Sequence, residues 1–162
     1  MLLWLNILAV KRQSVAGIMA AHWAEYGRDY YTRHDYEAVD AEAARGLMAH
    51  LQASAAALPG KTFAGLTVSR ADDFHYDDPV DGSRSEHQGF RVFFEDGARA
   101  VFRLSGTGTV GATIRIYLER YEADPTRHGL ETQAALANVI AAARDISQIE
   151  ARTGRTEPDV IT

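Results

Sequence analysis

The chain has 162 residues, of which 46% are hydrophobic and 24% are charged, a balance typical of one folded domain rather than of a disordered chain. A formal net charge of −5 argues against a surface for nucleic acid or for acidic membranes, although a local basic pocket is compatible with it. Because the chain contains no cysteine, disulfide and thiol chemistry are excluded, which favours a cytoplasmic location.

The first 26 residues predict two helices. Residues 2–10 are almost entirely apolar, but no cleavage site follows them and they are too few to span a bilayer. We interpret this stretch as a helix of a neighbouring domain. Ser14 is a typical N-cap for a second helix, which runs to about Tyr26 and ends at Gly27. Residues 27–36 are polar and aromatic after the glycine, and we interpret them as an extended linker and hinge.

The remaining residues, 37–162, predict one α+β domain. Asp40 begins a helix that extends to about Ala57, before Pro59 and Gly60. Apolar alternation predicts four strands, which cover residues 66–71, 90–94, 98–104 and 112–121. A turn at residues 96 and 97 joins the second strand to the third. A long amphipathic helix over about residues 136–149 follows. An antiparallel sheet with helices on one face satisfies this pattern.

The segment between the last two predicted strands contains the residues that point most directly to chemistry. It reads RLSGTGTVGATIR from Arg103 to Arg115, with three glycines between two arginines. Glycines allow backbone N–H groups to converge on a small anion. Hydroxyl side chains add donors, and the planar guanidinium group matches phosphate oxygens. The segment therefore predicts a phosphate pocket.

Two other interpretations of this segment are weaker. Gly106, Gly108 and Gly111 satisfy the G-x-G-x-x-G pattern, but that pattern indicates a dinucleotide site only where a helix follows. Residues 112–121 instead alternate between apolar and polar side chains and include β-branched and aromatic residues, which predicts a strand. A purely structural hairpin explains the glycines but leaves the hydroxyls and both arginines unexplained.

No metal site is predicted elsewhere in the chain. Residues 72–82 are acidic, but in an EF-hand alignment that starts at Asp77, Pro79 replaces an oxygen ligand and Gln88 replaces the bidentate glutamate. The histidines lack ligand spacing. We interpret the acidic segment as a structural loop, the tyrosines of residues 30–36 as packing groups, and Arg155 as a salt-bridge partner.

Several segments resemble α-phosphoglucomutases in the order in which that family has them. Residues 103–122, RLSGTGTVGATIRIYLERYE, resemble the phosphate-binding loop of the family's fourth and last domain. Residues 74–89 are similar to the central loop of that domain, and the approach to the domain and its C-terminus are similar to residues 21–37 and 153–162. The loop differs from the shorter Ser-Gly-Thr-Glu form that is usual in phosphomannomutase relatives.

The resemblance implies a fold like that of the TATA-box-binding protein. It also implies an intact enzyme that interconverts glucose 1-phosphate and glucose 6-phosphate through glucose 1,6-bisphosphate, with Mg²⁺ beside a phosphoserine. The phosphoserine, metal and sugar motifs of that family do not occur in this chain. We therefore expect residues 1–26 to be the tail of the preceding domain, and the chain alone to be inactive. We expect it to bind a phosphosugar, phosphate or sulfate but no other cofactor, and to have the missing N-terminal domains as partners.

The resemblance also assigns roles within the loop. Arg103 and Arg115 correspond to charge clamps, Ser105 and Thr107 to hydrogen-bond donors, and Gly106 and Gly108 to positions of close approach. Arg33 matches an arginine at the family's cleft, although an interdomain salt bridge is the role we favour for it. Two other functions stay open at this point: a stand-alone phosphosugar-binding module, and a domain of a mutase with another hexose-phosphate specificity.

Overall fold

The computed structural model describes residues 2–106 and 111–162, which form an antiparallel sheet with helices packed on one face. The strands are β1 (Arg28–Val39), β2 (Thr62–Phe63), β3 (Leu66–Asp77), β4 (Arg84–Phe94), β5 (Arg99–Ser105), β6 (Ala112–Glu122) and β7 (Val160–Ile161). The helices are α1 (Leu2–Lys11), α2 (Val15–Tyr26), α3 (Ala41–Ser54), α4 (Thr132–Ala135), α5 (Ala137–Ser147) and α6 (Ile149–Thr153). The strand order is β2-β3-β4-β5-β6-β1-β7, which confirms the predicted α+β architecture.

The core lies between the sheet and helices α3 and α5. Every second residue of the central strands points into it, as the alternation in the sequence predicts, and the fully buried strand residues include Phe90, Phe102 and Ile114. Leu47 of α3 and Val139 of α5 cover them from the other side. Each such side chain contributes about 1.5–3 kcal/mol on burial. The opposite face of the sheet carries the arginines of the predicted site.

The segment predicted as an extended linker is largely a strand of the sheet. β1 pairs with β6 from Arg28 opposite Glu122 to Tyr36 opposite Ile114, and it pairs with β7 on its other side. The alternation in β1 is hidden because some of its core-facing residues are polar. Thr32 accepts a hydrogen bond from the amide of Gln133, and the His34 ring pairs with the amide oxygen of the same residue. Residues 28–36 therefore belong to the folded domain, and the division into residues 1–26, 27–36 and 37–162 needs this correction.

The helix signals are confirmed at the N-terminal side of the chain. The Ser14 side chain accepts a hydrogen bond from the backbone N–H of Gly17, and α2 ends before Gly27, whose φ is +82°. The Asp40 carboxylate caps α3 by accepting from two backbone N–H groups. In α1 no residue is buried, and Leu2 and Leu3 are more than two-thirds exposed, at 78% and 71%.

The long C-terminal helix predicted over about residues 136–149 corresponds to α5 and the start of α6, and the separate short helix α4 precedes it. Leu136 separates α4 from α5, and Gln148 separates α5 from α6 with a left-handed φ of +52°. A left-handed residue reverses the local backbone and interrupts the ladder of helical hydrogen bonds, which apolar spacing alone does not reveal. The apolar positions Val139, Ile146 and Ile149 nevertheless all lie in the core.

The acidic segment predicted as a loop forms the end of the β3–β4 hairpin. Asp78 and Asp81 accept hydrogen bonds from the backbone N–H groups of Val80 and Ser83, which closes the turn. The hydrogen bonds of Asp81 to Ser83 lower the pKa of that carboxyl. Among residues 2–106 and 111–162, no helix has the length and apolar character needed to cross a membrane.

Candidate anion-binding site

Strand register brings the two predicted clamps side by side on the open face of the sheet. Arg115 on β6 lies opposite Arg103 on β5, and on its other side it lies opposite Asp35 on β1. The three residues form one row across adjacent strands, which are about 5 Å apart in such a sheet. This placement confirms that the two ends of the glycine-rich segment present their arginines to one surface.

The buried carboxylate of Asp35, at the end of this row, contacts Arg115 across the strands and Arg33 on its own strand. The Asp35 side chain is only 4% exposed. Its Oδ1 accepts a hydrogen bond from Nε of Arg33 at 2.8 Å, and its Oδ2 lies 3.6 Å from Nε of Arg115. The two arginine side chains are about one-third exposed. Two guanidinium groups and one carboxylate leave a net positive charge at the surface.

Arg33 forms a salt bridge with Asp35, but not the interdomain one expected above. Its partner lies two residues away on the same strand and the same face, so this ion pair is formed within one domain. The exposed part of Arg33 lies beside Arg115, since both contact the same carboxylate.

Arg103 lies at the edge of a shallow concavity of about 510 Å³ on the same face. Its side chain passes over Gly89, where a Cβ would lie 3.1 Å from Cγ of Arg103. The concavity is also lined by Phe74, Tyr76, Gln88, Arg91 and Arg99.

Nearby arginines on this face are compensated by carboxylates. Arg91 binds Asp72 through two hydrogen bonds of 2.7 and 3.1 Å, and Arg99 lies 2.7 Å from Glu119. Within the described residues Arg103 forms no such ion pair. The uncompensated positive charge is therefore concentrated at Arg103 and at the outer ends of Arg33 and Arg115.

The two ends of the glycine-rich segment differ in their surroundings. Ser105 forms the last β5–β6 pair with Thr113. Gly106 has a φ of +69°, and among the described residues no atom would lie within 4 Å of a Cβ there. Gly111 has a φ of +95°, and a Cβ there would lie 3.0 Å from the carbonyl oxygen of Val39. One end is thus open to a ligand and the other is packed against β1.

Thr107 and Gly108 lie outside the residues that the structure describes, so their predicted roles stay predictions.

The C-terminal segment holds β1 in place from the edge of the sheet, a feature that the sequence alone did not reveal. The backbone N–H of Asp159 donates to the carbonyl oxygen of Asp35 at 2.8 Å, and β7 pairs with β1 at this point. The guanidinium group of Arg155 forms an ion pair with Asp159 and donates to the carbonyl oxygen of Glu37. The prediction of Arg155 as a salt-bridge partner is confirmed.

Asp35 is a further part of the site that the sequence alone did not reveal. The only signal in the sequence is the spacing of Arg33 and Asp35, which places opposite charges on one face of an extended segment. That signal has meaning once residues 28–36 are known to form a strand, and the contact with Arg115 requires the β1–β6 register.

Comparison with known proteins gives consistent results. Residues 28–159 match the family described as "Phosphoglucomutase-1, C-terminal domain". The chain is 57% identical over 161 residues to a phosphoglucomutase of Rhizobium radiobacter and 50% identical over 167 residues to phosphoglucomutase-1 of Homo sapiens. Both alignments cover 99% of this chain and 30% of the relative, so the chain spans less than a third of the length of these relatives.

A solved structure shows the same fold. The open form of the exocytosis-sensitive phosphoprotein pp63/parafusin, a phosphoglucomutase from Paramecium, matches with a TM-score of 0.85 and 45% sequence identity. The match covers 98% of this chain and 28% of that chain.

Proposed function

The chain belongs to the phosphoglucomutase-1 C-terminal domain family, and from that premise we propose that it binds the phosphate group of the substrate in a phosphoglucomutase. The observation that carries the proposal is the row of Arg103 and Arg115 on neighbouring strands, at the two ends of a glycine-rich segment. Backbone N–H groups, hydroxyls and guanidinium forks are the donors that phosphate oxygens accept. Ser105, Gly106, Thr107 and Gly108 complete the proposed site.

The reaction gives such a site a clear purpose. In each half-reaction between glucose 1-phosphate and glucose 6-phosphate, one phosphate reacts and the other does not. A domain that holds the second phosphate fixes the sugar hydroxyl in line for phosphoryl transfer, so that binding energy far from the reacting atoms is used for positioning. Donors that contact only the phosphate do not distinguish one end of the sugar from the other, so the substrate can bind in either orientation.

The remaining parts of the enzyme lie outside this chain in our proposal. A phosphoserine and Mg²⁺ supply and assist the transferred phosphoryl group, with glucose 1,6-bisphosphate as intermediate. Among the described residues no three His, Asp or Glu side chains converge on a point that suits a metal. The family's metal motif does not occur in this sequence, so we place the Mg²⁺ site on the N-terminal domains, which act as partners.

The exposed apolar residues of α1 support a preceding domain. Leu2, Leu3, Leu5 and Val10 are each more than half exposed, and a helix with this surface needs a partner. We propose that α1 and α2 form the tail of that domain, and that the enzyme acts in carbohydrate metabolism in the cytoplasm. The name of the phosphoglucomutase of Pisum sativum describes that protein as cytoplasmic.

We test the phosphate site with Arg115→Ala and Arg115→Lys in the intact enzyme, with Arg91→Ala as the control. Loss of a charge-assisted hydrogen bond costs about 1.5–3 kcal/mol, so Arg115→Ala should weaken binding of glucose 1,6-bisphosphate about 10- to 150-fold. Lysine should restore only part of the affinity, because it is a point charge rather than a fork. Arg91 is already paired with Asp72, and its removal should change affinity less than threefold. Equal affinity in wild type and Arg115→Ala would exclude Arg115 from the site.

A second experiment addresses the chain by itself. We expect no conversion of glucose 1-phosphate by residues 1–162 in a coupled assay with Mg²⁺ and glucose 1,6-bisphosphate. Turnover that persists after repurification would contradict the assignment of the chemistry to other domains. The alternative, an independent phosphosugar-binding module, predicts a coding sequence without upstream phosphoserine and metal motifs.

A further inference from the structure

We propose that Asp35 is a positioning residue of the anion site, which orients Arg115 and Arg33 toward the bound phosphate without contacting it. This inference rests on the proposed function. It concerns a residue of β1, about 70 positions away in sequence from the glycine-rich segment.

The carboxylate divides its two oxygens between the two arginines. Oδ1 accepts from Arg33, and Oδ2 faces Nε of Arg115 at 3.6 Å. That Nε atom is buried and has no hydrogen-bond partner among the described residues, so Asp35 is the charged group nearest to its inner edge. A guanidinium group is planar and rigid, and an anchor at Nε therefore sets the direction of the two outer nitrogens.

The position of the carboxylate is itself fixed by the backbone around it. β6 pairs with Asp35 on one side and β7 on the other, and the N–H of Asp159 donates to the Asp35 carbonyl oxygen. The side chain is 4% exposed, so it has little freedom to follow a mobile arginine. A rigid carboxylate that accepts a hydrogen bond from Arg33 and forms an ion pair with Arg115 holds both arginines in one geometry before the ligand arrives, which lowers the entropy lost on binding.

Charge alone would give Asp35 the opposite effect on an anion. A negative carboxylate a few ångströms from the clamp repels phosphate, so a purely electrostatic account predicts tighter binding once Asp35 is neutralised. Positioning predicts weaker binding, because Arg115 and Arg33 lose their common anchor. The sign of the change in affinity therefore separates the two accounts.

The test uses Asp35→Asn in the 162-residue chain, with inorganic phosphate and glucose 1-phosphate titrated separately and followed by NMR. We expect at least a threefold loss of affinity even though the substitution removes a negative charge that repels phosphate. Asp72→Asn is the matched control, since Asp72 also pairs with an arginine on this face but does not contact Arg115. It should bind phosphate within twofold of wild type. Affinity in Asp35→Asn equal to or above that of wild type would overturn the proposal.

Asp35→Glu provides a second variant that keeps the charge but moves the carboxylate by one methylene group. Positioning predicts weaker binding in this variant too, whereas unchanged binding would overturn the proposal. If Asp35→Asn does not fold, Asp35→Glu alone still tests the proposal.

A readout without ligand separates this inference from the proposed function. The Nε–Hε group of Arg115 should show restricted motion in wild type and averaging in Asp35→Asn, even if the chain binds neither phosphate probe. Failure of wild type to bind contradicts the proposed function alone, and equal motion of Arg115 in both proteins contradicts the positioning role.

Discussion

Replacement of Gly111 by alanine tests whether the glycine-rich segment is anchored on β1. The substitution has two costs. A non-glycine residue with a positive φ loses about 1–2 kcal/mol, and the φ of Gly111 is +95°. The new Cβ would also lie 3.0 Å from the Val39 carbonyl oxygen and 3.1 Å from backbone atoms of Ala38. Those atoms are main chain and cannot rotate away, and overpacking of this kind costs about 1–3 kcal/mol.

Gly106→Ala is the matched control at the other end of the same segment. Its φ of +69° carries the first cost, but no atom of the residues that the structure describes lies within 4 Å of the position of the new methyl group, so the second cost is not expected. We expect a loss of about 1–2 kcal/mol in the free energy of unfolding for Gly106→Ala and about 2–5 kcal/mol for Gly111→Ala. The change in unfolded-chain entropy is the same in both and cancels in the difference.

Urea unfolding followed by far-UV circular dichroism measures this difference. Fluorescence is less suitable, because both tryptophans lie in α1 and α2 rather than in the core. Equal stability of the two variants, within about 0.5 kcal/mol, would refute the contact between Gly111 and β1. Among folded molecules, Gly106→Ala should bind phosphate more weakly than Gly111→Ala, since a methyl group on Gly106 would occupy the open space proposed for the ligand.

Two further predictions concern groups whose pKa is shifted. Burial raises the pKa of Tyr36, and its hydroxyl has no partner among the described residues, so Tyr36→Phe should leave the free energy of unfolding unchanged or raise it by about 1 kcal/mol. Wild type should then lose more stability than Tyr36→Phe as the pH rises above 10, because Tyr36 ionises readily only in the unfolded chain. A loss of more than 1 kcal/mol in Tyr36→Phe at pH 7 would contradict this. Backbone N–H groups of Gln133 and Ala134 lower the pKa of Glu131, so its contribution to stability is present above pH 4.5 and disappears as the pH falls through the lowered pKa. Urea midpoints of Glu131→Gln and wild type should therefore differ at pH 7 and converge in acid, and a constant difference would count against the cap.

Local signals in the sequence predicted the elements whose stability is local. Ser14 and Asp40 cap their helices through side-chain oxygens within three residues of the bonded N–H groups. The turn at residues 96 and 97 joins β4 and β5 as expected from its two residues. These features need no information from distant parts of the chain, and the prediction is correct for each.

β1 was not predicted because its buried polar groups are satisfied by a residue about 100 positions away. A segment with Thr32 and His34 on one face resembles an exposed linker until Gln133 is placed beside it. Hydrogen bonds of this kind offset the free-energy cost of burying polar groups, and no local sequence pattern predicts them. The same limit applies to Asp35, since only the pairing of β1 with β6 brings it to Arg115.

The position of β1 also decides where the domain can pivot in the proposed enzyme. The phosphate site must meet a phosphoserine on another domain, so we propose that this domain closes on the substrate and opens for release. A hinge absorbs changes in φ and ψ, and such changes within residues 28–36 would break the ladder with β6. Gly27 is different: it has a φ of +82° and precedes the first β1–β6 pair.

Contacts around Gly27 restrict rotation of the domain at this residue. A Cβ at this position would overlap the ring of Tyr121, and the hydroxyl of Tyr121 donates to the carbonyl oxygen of Tyr26 at 2.8 Å. The guanidinium group of Arg28 lies 4.2 Å from the centre of the Trp23 ring. Helix α2 is thus attached to the sheet on both sides of the glycine. Rotation at Gly27 has to break the Tyr121 hydrogen bond and the Arg28–Trp23 contact, whereas rotation between α1 and α2 leaves both intact.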